Sequence, residues 1–153
     1  MNICAAFNGV SVTSFAISRG GDWVDRSTAA ALGMPRNRIM AIKEEGVNLV
    51  KPTSREEEAI AIYYREFIRH FVSKMAQTLG SSKNAPHFSQ PVDVVFAGGL
   101  TAAEGFLDMA VEELKAVDFG FSIRMVRRAD DPFTSWARGC LLSAMHSFSR
   151  KST

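Results

Sequence analysis

A pair of glycines stands where the chain changes from an apolar run to a helical pattern. Gly98 and Gly99 follow residues 92–97, a run typical of a buried strand, and precede residues 103–116, which have helical spacing. Glycine has no Cβ, so its peptide planes can lie flat against a ring such as adenine, and it takes the positive φ angles of a sharp turn. Taken alone, such a pair is equally typical of a plain packing turn. The other motifs in the sequence must therefore decide between a ligand-binding turn and a packing turn.

Two other short groups could do related chemistry. Gly20-Gly21-Asp22 stands before an apolar helical pattern, and Lys43-Glu44 ends the next one. Each also has a simpler interpretation. The glycines open a helix without binding anything, and the Lys-Glu pair is as typical of a solvated helix face as of a ligand contact.

The elements that would position these residues indicate an α/β fold. Residues 2–7 and 10–18 are apolar runs around Asn8-Gly9, which predicts an antiparallel hairpin. Asp22 is then placed to cap a helix that ends before Gly33, and Pro35 can start a second helix that ends at Gly46.

A long amphipathic helix follows, and after it strands and helices alternate. The capping box Ser54 to Glu57 opens this helix, which continues to Gly80 with six apolar residues at helical spacing. These are Ile60, Tyr63, Tyr64, Phe67, Phe71 and Met75. Residues 80–91 form a surface loop, and strands at 92–97 and 122–126 alternate with helices at 103–116 and 132–148. This alternation predicts parallel strands.

Composition limits the classes of function. The 153 residues are 46% hydrophobic, carry a net charge of +2 and contain no long apolar run, which predicts one domain over residues 1–148, a frayed tail at 149–153 and no membrane span. No basic stripe indicates nucleic-acid binding, and no secretory pattern is present, so we expect a cytoplasmic protein. Cys4 and Cys140 are expected to be small buried residues. The three histidines are scattered, so no metal site or Ser-His-Asp arrangement is indicated.

Four short sequence motifs, in their order along the chain, resemble the second half of actin-like ATPases. This superfamily includes actin, MreB and ParM and is related to heat-shock chaperone ATPase domains. The words are SRGGDWVD at 18–25, IKE at 42–44, AGGLTAAEGF at 97–106 and DPFTSWARGCLL at 131–142. The resemblance covers nearly the whole chain.

The resemblance implies a ribonuclease-H-like lobe: one mixed sheet, made of an N-terminal hairpin and then parallel strands, with helices on both faces. It also implies that ATP or ADP binds, with magnesium, in the complete protein, or that this chain alone binds no cofactor. The implied nucleotide-binding residues are Gly20, Gly21, Asp22, Lys43, Glu44, Gly98, Gly99, Leu100 and Thr101, with no catalytic and no metal-binding residue. Met40 departs from the pattern, since MreB-like members carry an acidic residue there for the ribose hydroxyls.

The same resemblance implies that this chain is truncated at its N-terminus. The first strand of the lobe, with its phosphate loop, would lie upstream of Met1 and in the middle of the sheet, between residues 2–7 and 92–97. We therefore expect the two flanking strands either to pair directly or to accept a strand from another chain. Without phosphate loops, this chain alone is expected to have no ATPase activity.

Three functions stay open on the sequence. The first is the adenine-nucleotide-binding lobe of a filament-forming, actin-like cytoskeletal ATPase, with the missing first half or a full-length relative as partner. The second is a stand-alone interaction or regulatory module that keeps the fold without ATP chemistry, with self-association or strand exchange as its mode of binding. The third is a lobe of a chaperone-like or reactivating ATPase.

Overall fold

The computed structural model describes residues 1–8, 10–80, 88 and 90–149. The elements, in chain order, are β1 (Asn2–Phe7), β2 (Val10–Ala16), α1 (Gly21–Leu32), α2 (Arg36–Glu45), α3 (Arg55–Gly80), β3 (Val92–Phe96), a 3-10 turn (Gly99–Ala102), α4 (Phe106–Lys115), β4 (Ile123–Arg128) and α5 (Ser135–Ser149). This mixture of helices and strands confirms the α/β class. The predicted loop at 80–91 and the predicted tail at 149–153 fall mostly outside the described residues.

The N-terminal hairpin forms as the sequence predicts. β1 and β2 pair antiparallel, with Cys4 opposite Ser14, and Asn8 has a φ of 50° in the turn. Positive φ is tolerated by asparagine better than by most residues, which is why Asn-Gly favours such turns. A bulge between Ala5 and Ala6 shifts the register.

Helix α3 is the centre of the core, and α1 and α4 pack against it. Its apolar stripe is buried as the helical spacing predicts, with Tyr64, Phe67 and Ile68 each at most 1% exposed. The capping box is half confirmed. The Ser54 hydroxyl accepts a hydrogen bond from the Glu57 N–H at 3.1 Å, but the Glu57 carboxylate accepts from Thr53 rather than from the Ser54 backbone.

A chain of aromatic contacts joins α3 to the elements that follow it. Phe106 at the start of α4 meets Tyr64 and Phe96 edge to face, with ring centroids 6.4 and 5.3 Å away, and Phe96 meets Phe71 at 5.6 Å. Edge-to-face geometry suits the quadrupoles of the rings. We call these four residues the aromatic chain.

The strands in the described part of the chain do not form the expected single mixed sheet, and this corrects the prediction. β1 pairs with β2, and β3 pairs in parallel with β4, as two separate two-stranded sheets. Nearly all Cα atoms of β1 lie more than 8 Å from those of β3, so the flanking strands do not pair directly. Neighbouring strands need a spacing of about 4.8 Å, which this separation excludes.

Other local predictions also need correction. Asp22 does not cap α1: the N-cap residue is Gly20, with no side-chain cap, and the Asp22 carboxylate pairs with Arg26 and Arg36 instead. Cys4 and Cys140 are exposed rather than buried. Cys4 is exposed because its side chain lies on the face of β1 opposite to that of Ile3, which packs against the core. Cys140 is exposed because it lies on α5, whose described side chains are nearly all exposed.

A search of the described residues for a membrane-spanning helix finds none with the length and hydropathy that a span needs.

We predict that Phe106→Ala lowers the free energy of unfolding by about 3–5 kcal/mol, because it leaves a cavity between two other rings of the aromatic chain. Phe7→Ala is the matched control, since Phe7 is 57% exposed, and should change stability by no more than about 0.5 kcal/mol. Urea unfolding followed by circular dichroism measures both. Similar losses in the two variants would show that the aromatic chain has no special place in the core.

Candidate functional site

Two concave regions meet at Gly99, which lines both. The first, which we call the acidic cleft, has a volume of about 800 Å³. Its polar lining consists mainly of Asp25, Lys43, Glu44, Glu57, Tyr64 and Glu104. The second, which we call the glycine cleft, has a volume of about 610 Å³. Its lining includes Gly20, Gly21, Gly98, Leu100, Thr101 and Trp136.

The structure places eight of the nine predicted binding residues on these two clefts. Lys43 and Glu44 line the acidic cleft, and Gly99 lies at the junction. The glycine cleft holds Gly20, Gly21, Gly98, Leu100 and Thr101. Asp22 lines neither cleft and is half exposed in its ion pairs. Residues separated by up to 81 positions, from Gly20 to Thr101, are thus brought together, while their binding of a nucleotide stays a prediction.

Lys43 is held by a buried carboxylate in the wall of the acidic cleft. Its Nζ donates a hydrogen bond to Asp25 Oδ1 at 2.5 Å, and the Asp25 side chain is only 8% exposed. The same Nζ lies 5.7 Å from the centre of the Tyr64 ring. Burial, and secondly the charge of Asp25, raise the pKa of the Tyr64 hydroxyl well above its usual range. Tyr64 therefore stays neutral, and the charge of Lys43 is already matched before any ligand arrives.

The acidic cleft has an excess of negative charge. Asp25 neutralises the charge of Lys43, which is the one cation among the described residues of this lining. Three carboxylates of the lining then have no cation to balance them: Glu44, Glu57 and Glu104. Carboxylates accept hydrogen bonds from hydroxyls and amines but repel phosphate. None of the described side chains that line the glycine cleft is charged. The two clefts therefore suit different parts of a ligand.

The predicted glycine loop is held by its own hydrogen bonds. Gly98 has a φ of 104°, and its N–H donates to the Pro132 carbonyl at 2.7 Å. Thr101 is 3% exposed and donates its hydroxyl to the Gly98 carbonyl at 2.8 Å, so this hydroxyl closes the turn rather than reaching into the cleft. Arg128 donates to the Thr101 carbonyl at 3.0 Å. Thr101 thus shapes the loop, whereas Gly99 and Leu100 present the surface.

Gly105 lies next to Glu104 of the acidic cleft and permits a close approach of two chain segments. Gly105 has a φ of 81°, and a Cβ there would lie 2.5 Å from Cγ2 of Val50. Only glycine permits both this conformation and this approach. The neighbouring Leu49 N–H donates to the Glu104 carbonyl at 2.9 Å, which ties the loop after α2 to the start of α4.

Several cleft residues were missed from the sequence. In the sequence Asp25 is only the last residue of the SRGGDWVD motif, although it lies one turn after Asp22 on the buried face of α1. For Glu57 the sequence predicts a role in the helix cap alone. Its Oε2 accepts from the Thr53 N–H at 2.8 Å and from the Thr53 hydroxyl at 3.1 Å, which leaves the carboxylate on the rim of the cleft.

The fold and the clefts define a mixed α/β protein with a ligand-sized cleft built around paired glycines. The sequence matches the profile of the Volactin family over residues 1–144, and the chain belongs to this family. A comparison with curated proteins finds no match.

We predict that Asp25→Asn lowers the free energy of unfolding by about 3 kcal/mol, because it leaves the ammonium of Lys43 without a charge partner in a largely buried position. Asp22→Asn is the matched control on the same helix. Asp22 is 50% exposed in its ion pairs, so its loss should cost less than about 1 kcal/mol. Thermal unfolding of both variants at equal pH and salt makes the comparison, and equal shifts would contradict the buried role of Asp25.

Proposed function

We propose that this chain is the adenine-nucleotide-binding lobe of an actin-like, filament-forming ATPase of the cytoplasm, and that it is not catalytic by itself. One observation carries the proposal. Gly99 lines both clefts, so that Lys43 and Glu44 on one side and the glycine pairs on the other lie in adjoining clefts. These are the residues at which the sequence resembles the nucleotide site of that superfamily.

In this proposal the nucleoside occupies the acidic cleft and the phosphates point towards the glycine cleft. The adenine lies against the backbone of Gly99, and the ribose hydroxyls donate to a carboxylate. Met40 cannot accept these bonds, but Glu44, Glu57 and Glu104 line the same cleft and offer carboxylate oxygens. The phosphates avoid these carboxylates and find an uncharged wall of backbone near Gly20 and Gly21, where N–H groups can donate to anions.

The partner that completes such a site is the first half of an actin-like ATPase or a full-length actin-like relative. Phosphoryl transfer depends on positioned water, metal and charge around the phosphates. Among the described residues, no three side chains of His, Cys, Asp or Glu are grouped to hold a metal ion. We propose that magnesium comes with the nucleotide and that the partner supplies the groups for hydrolysis.

A second candidate is an interaction module that keeps the fold without ATP chemistry. The excess of carboxylates in the acidic cleft favours it, because this cleft repels a polyphosphate that enters it. The two separate sheets favour it as well, because they leave strand edges available to a partner.

Titration calorimetry with ATP and ADP, with and without magnesium, tests the proposal. We predict binding that Gly99→Val weakens by about tenfold or more, because the added methyl groups enter the junction of the clefts. The nearest atom to a Cβ at Gly99 is 3.5 Å away on Phe133, so the fold accommodates the change. Gly139→Ala on α5 is the control: no atom lies within 4 Å of its Cβ, and affinity should not change. The absence of binding at millimolar nucleotide would favour the interaction module.

We also predict that Glu44→Gln reduces the preference for adenosine over 2′-deoxyadenosine. A neutral amide accepts hydrogen bonds from ribose hydroxyls more weakly than a carboxylate does, by about 1 kcal/mol per bond. Glu44 is exposed, so the fold should be retained. Glu45→Gln, at the neighbouring exposed position outside the cleft lining, is the control. A preference that is unchanged in Glu44→Gln would exclude Glu44 from the ribose contact.

A further inference from the structure

We propose that the ring of Phe133 is a stacking surface for the base of the bound nucleotide and makes the site prefer purines to pyrimidines. Phe133 lies between β4 and α5, outside the set of residues that the sequence predicts for nucleotide binding. Because the ring acts on the base, this role rests on the nucleotide binding proposed above.

The place of Phe133, more than its exposure, points to this role. Phe133 is 69% exposed, more than any other large hydrophobic residue in the described part of the chain. A single exposed apolar side chain is normal on a protein surface. This one, however, lines the acidic cleft, where Tyr64 is the only other aromatic residue among those described.

The ring of Phe133 lies beside the paired glycines. Its Cε1 atom is 3.5 Å from the place that a Cβ of Gly99 would occupy, which is ordinary van der Waals contact. One edge of the ring therefore meets Gly99, while the high exposure of the residue leaves most of the ring surface open. A flat ligand that lies against the backbone of Gly99 thus meets this ring as well.

Two sets of hydrogen bonds fix the backbone that carries the ring. The Gly98 N–H donates to the Pro132 carbonyl at 2.7 Å, which ties the glycine loop to the residue before Phe133. Asp131 Oδ1 accepts from the N–H groups of Phe133 and Thr134, each at 3.1 Å. Hydrogen bonds from the Thr134 hydroxyl, and secondly from the Thr134 backbone, lower the pKa of Asp131, so this carboxylate stays charged near neutral pH. A ring on a backbone that is already fixed loses little conformational freedom when a ligand binds.

The open ring suits a planar base better than an organic cation. Carboxylates and an aromatic face together also attract cations, which proteins enclose in cages of aromatic rings. The ring of Tyr64 is not available for such a cage, because the residue is 1% exposed and Lys43 Nζ already lies 5.7 Å from its centre. One open ring beside a glycine backbone offers a flat surface, and every base has a π face that stacks on such a surface.

The size of the base gives the preference. A purine has two fused rings and overlaps the Phe133 ring more than a pyrimidine does, and the gain in free energy grows with the apolar area removed from water. ATP and CTP present the same ribose hydroxyls, and each carries an exocyclic amine. The carboxylates of the acidic cleft therefore distinguish these two nucleotides less than the ring does.

Titration calorimetry with ATP and with CTP tests this preference. We expect the unaltered protein to bind ATP about fivefold or more tightly than CTP, and Phe133→Leu to reduce this ratio by about threefold or more, because leucine is apolar but has no flat ring. Phe133→Tyr keeps the ring and should keep the ratio. A ratio that is the same in Phe133→Leu as in the unaltered protein would overturn the proposal.

Phe7→Leu is the matched control. Phe7 is also an exposed phenylalanine, but it lies on β1 and lines neither cleft. The same substitution there should leave both affinities unchanged. An equal fall of the ratio in Phe7→Leu would mean that the effect does not come from contact with the base, which contradicts the role of Phe133.

A direct measurement of the contact separates this proposal from that of nucleotide binding. In NMR spectra of the protein with adenosine, which has no phosphates, we expect nuclear Overhauser effects between the adenine H2 or H8 proton and a phenylalanine ring, and their loss in Phe133→Leu. ATP binding without these effects would contradict the role of Phe133 alone. Adenosine binding with these effects but without ATP binding would contradict the nucleotide proposal alone, and binding of neither ligand would contradict both.

Discussion

The ring contacts of the aromatic chain, which join α3 to α4 and β3, are the interaction on which the rest of the structure depends. Tyr64 and Phe71 are on α3, Phe106 begins α4 and Phe96 ends β3. The four rings therefore hold α4 and β3 against α3. The same rings line the concave features. Tyr64 borders the acidic cleft and Phe106 the glycine cleft. The positions of the two clefts are therefore set together by the packing of the aromatic chain.

The parts of the fold that local physics determines could be predicted from the sequence. The stripe of α3 follows from helical periodicity, and the hairpin follows from Asn-Gly between apolar runs, because both patterns act over a few residues. The separation of β1 from β3 could not be predicted in this way. It depends on how two distant strands pack on α3, and no local pattern records that distance.

The candidate site shows the same division. The glycine pairs and Lys43-Glu44 belong to short motifs that the sequence alone reveals, and the structure brings them to adjoining clefts. Asp25 and Glu104 are not visible as site residues, because each reaches the cleft only through tertiary packing. The helix cap at Asp22 failed for a related reason. The arginines Arg26 and Arg36 compete for its carboxylate, and Arg36 comes from the next helix.

The ion pair of Asp25 with Lys43 has a consequence for how the sequence of this family can vary. Loss of Asp25 alone leaves the ammonium of Lys43 without a partner, and loss of Lys43 alone leaves Asp25 with only the more distant Arg36 at 3.9 Å. The replacement of both Asp25 and Lys43 by apolar residues of similar volume costs far less. We therefore expect the residues at these two positions, which are 18 residues apart, to co-vary among members of the family. Relatives that have lost the carboxylate are expected to have lost the amine as well, and those that keep one are expected to keep both.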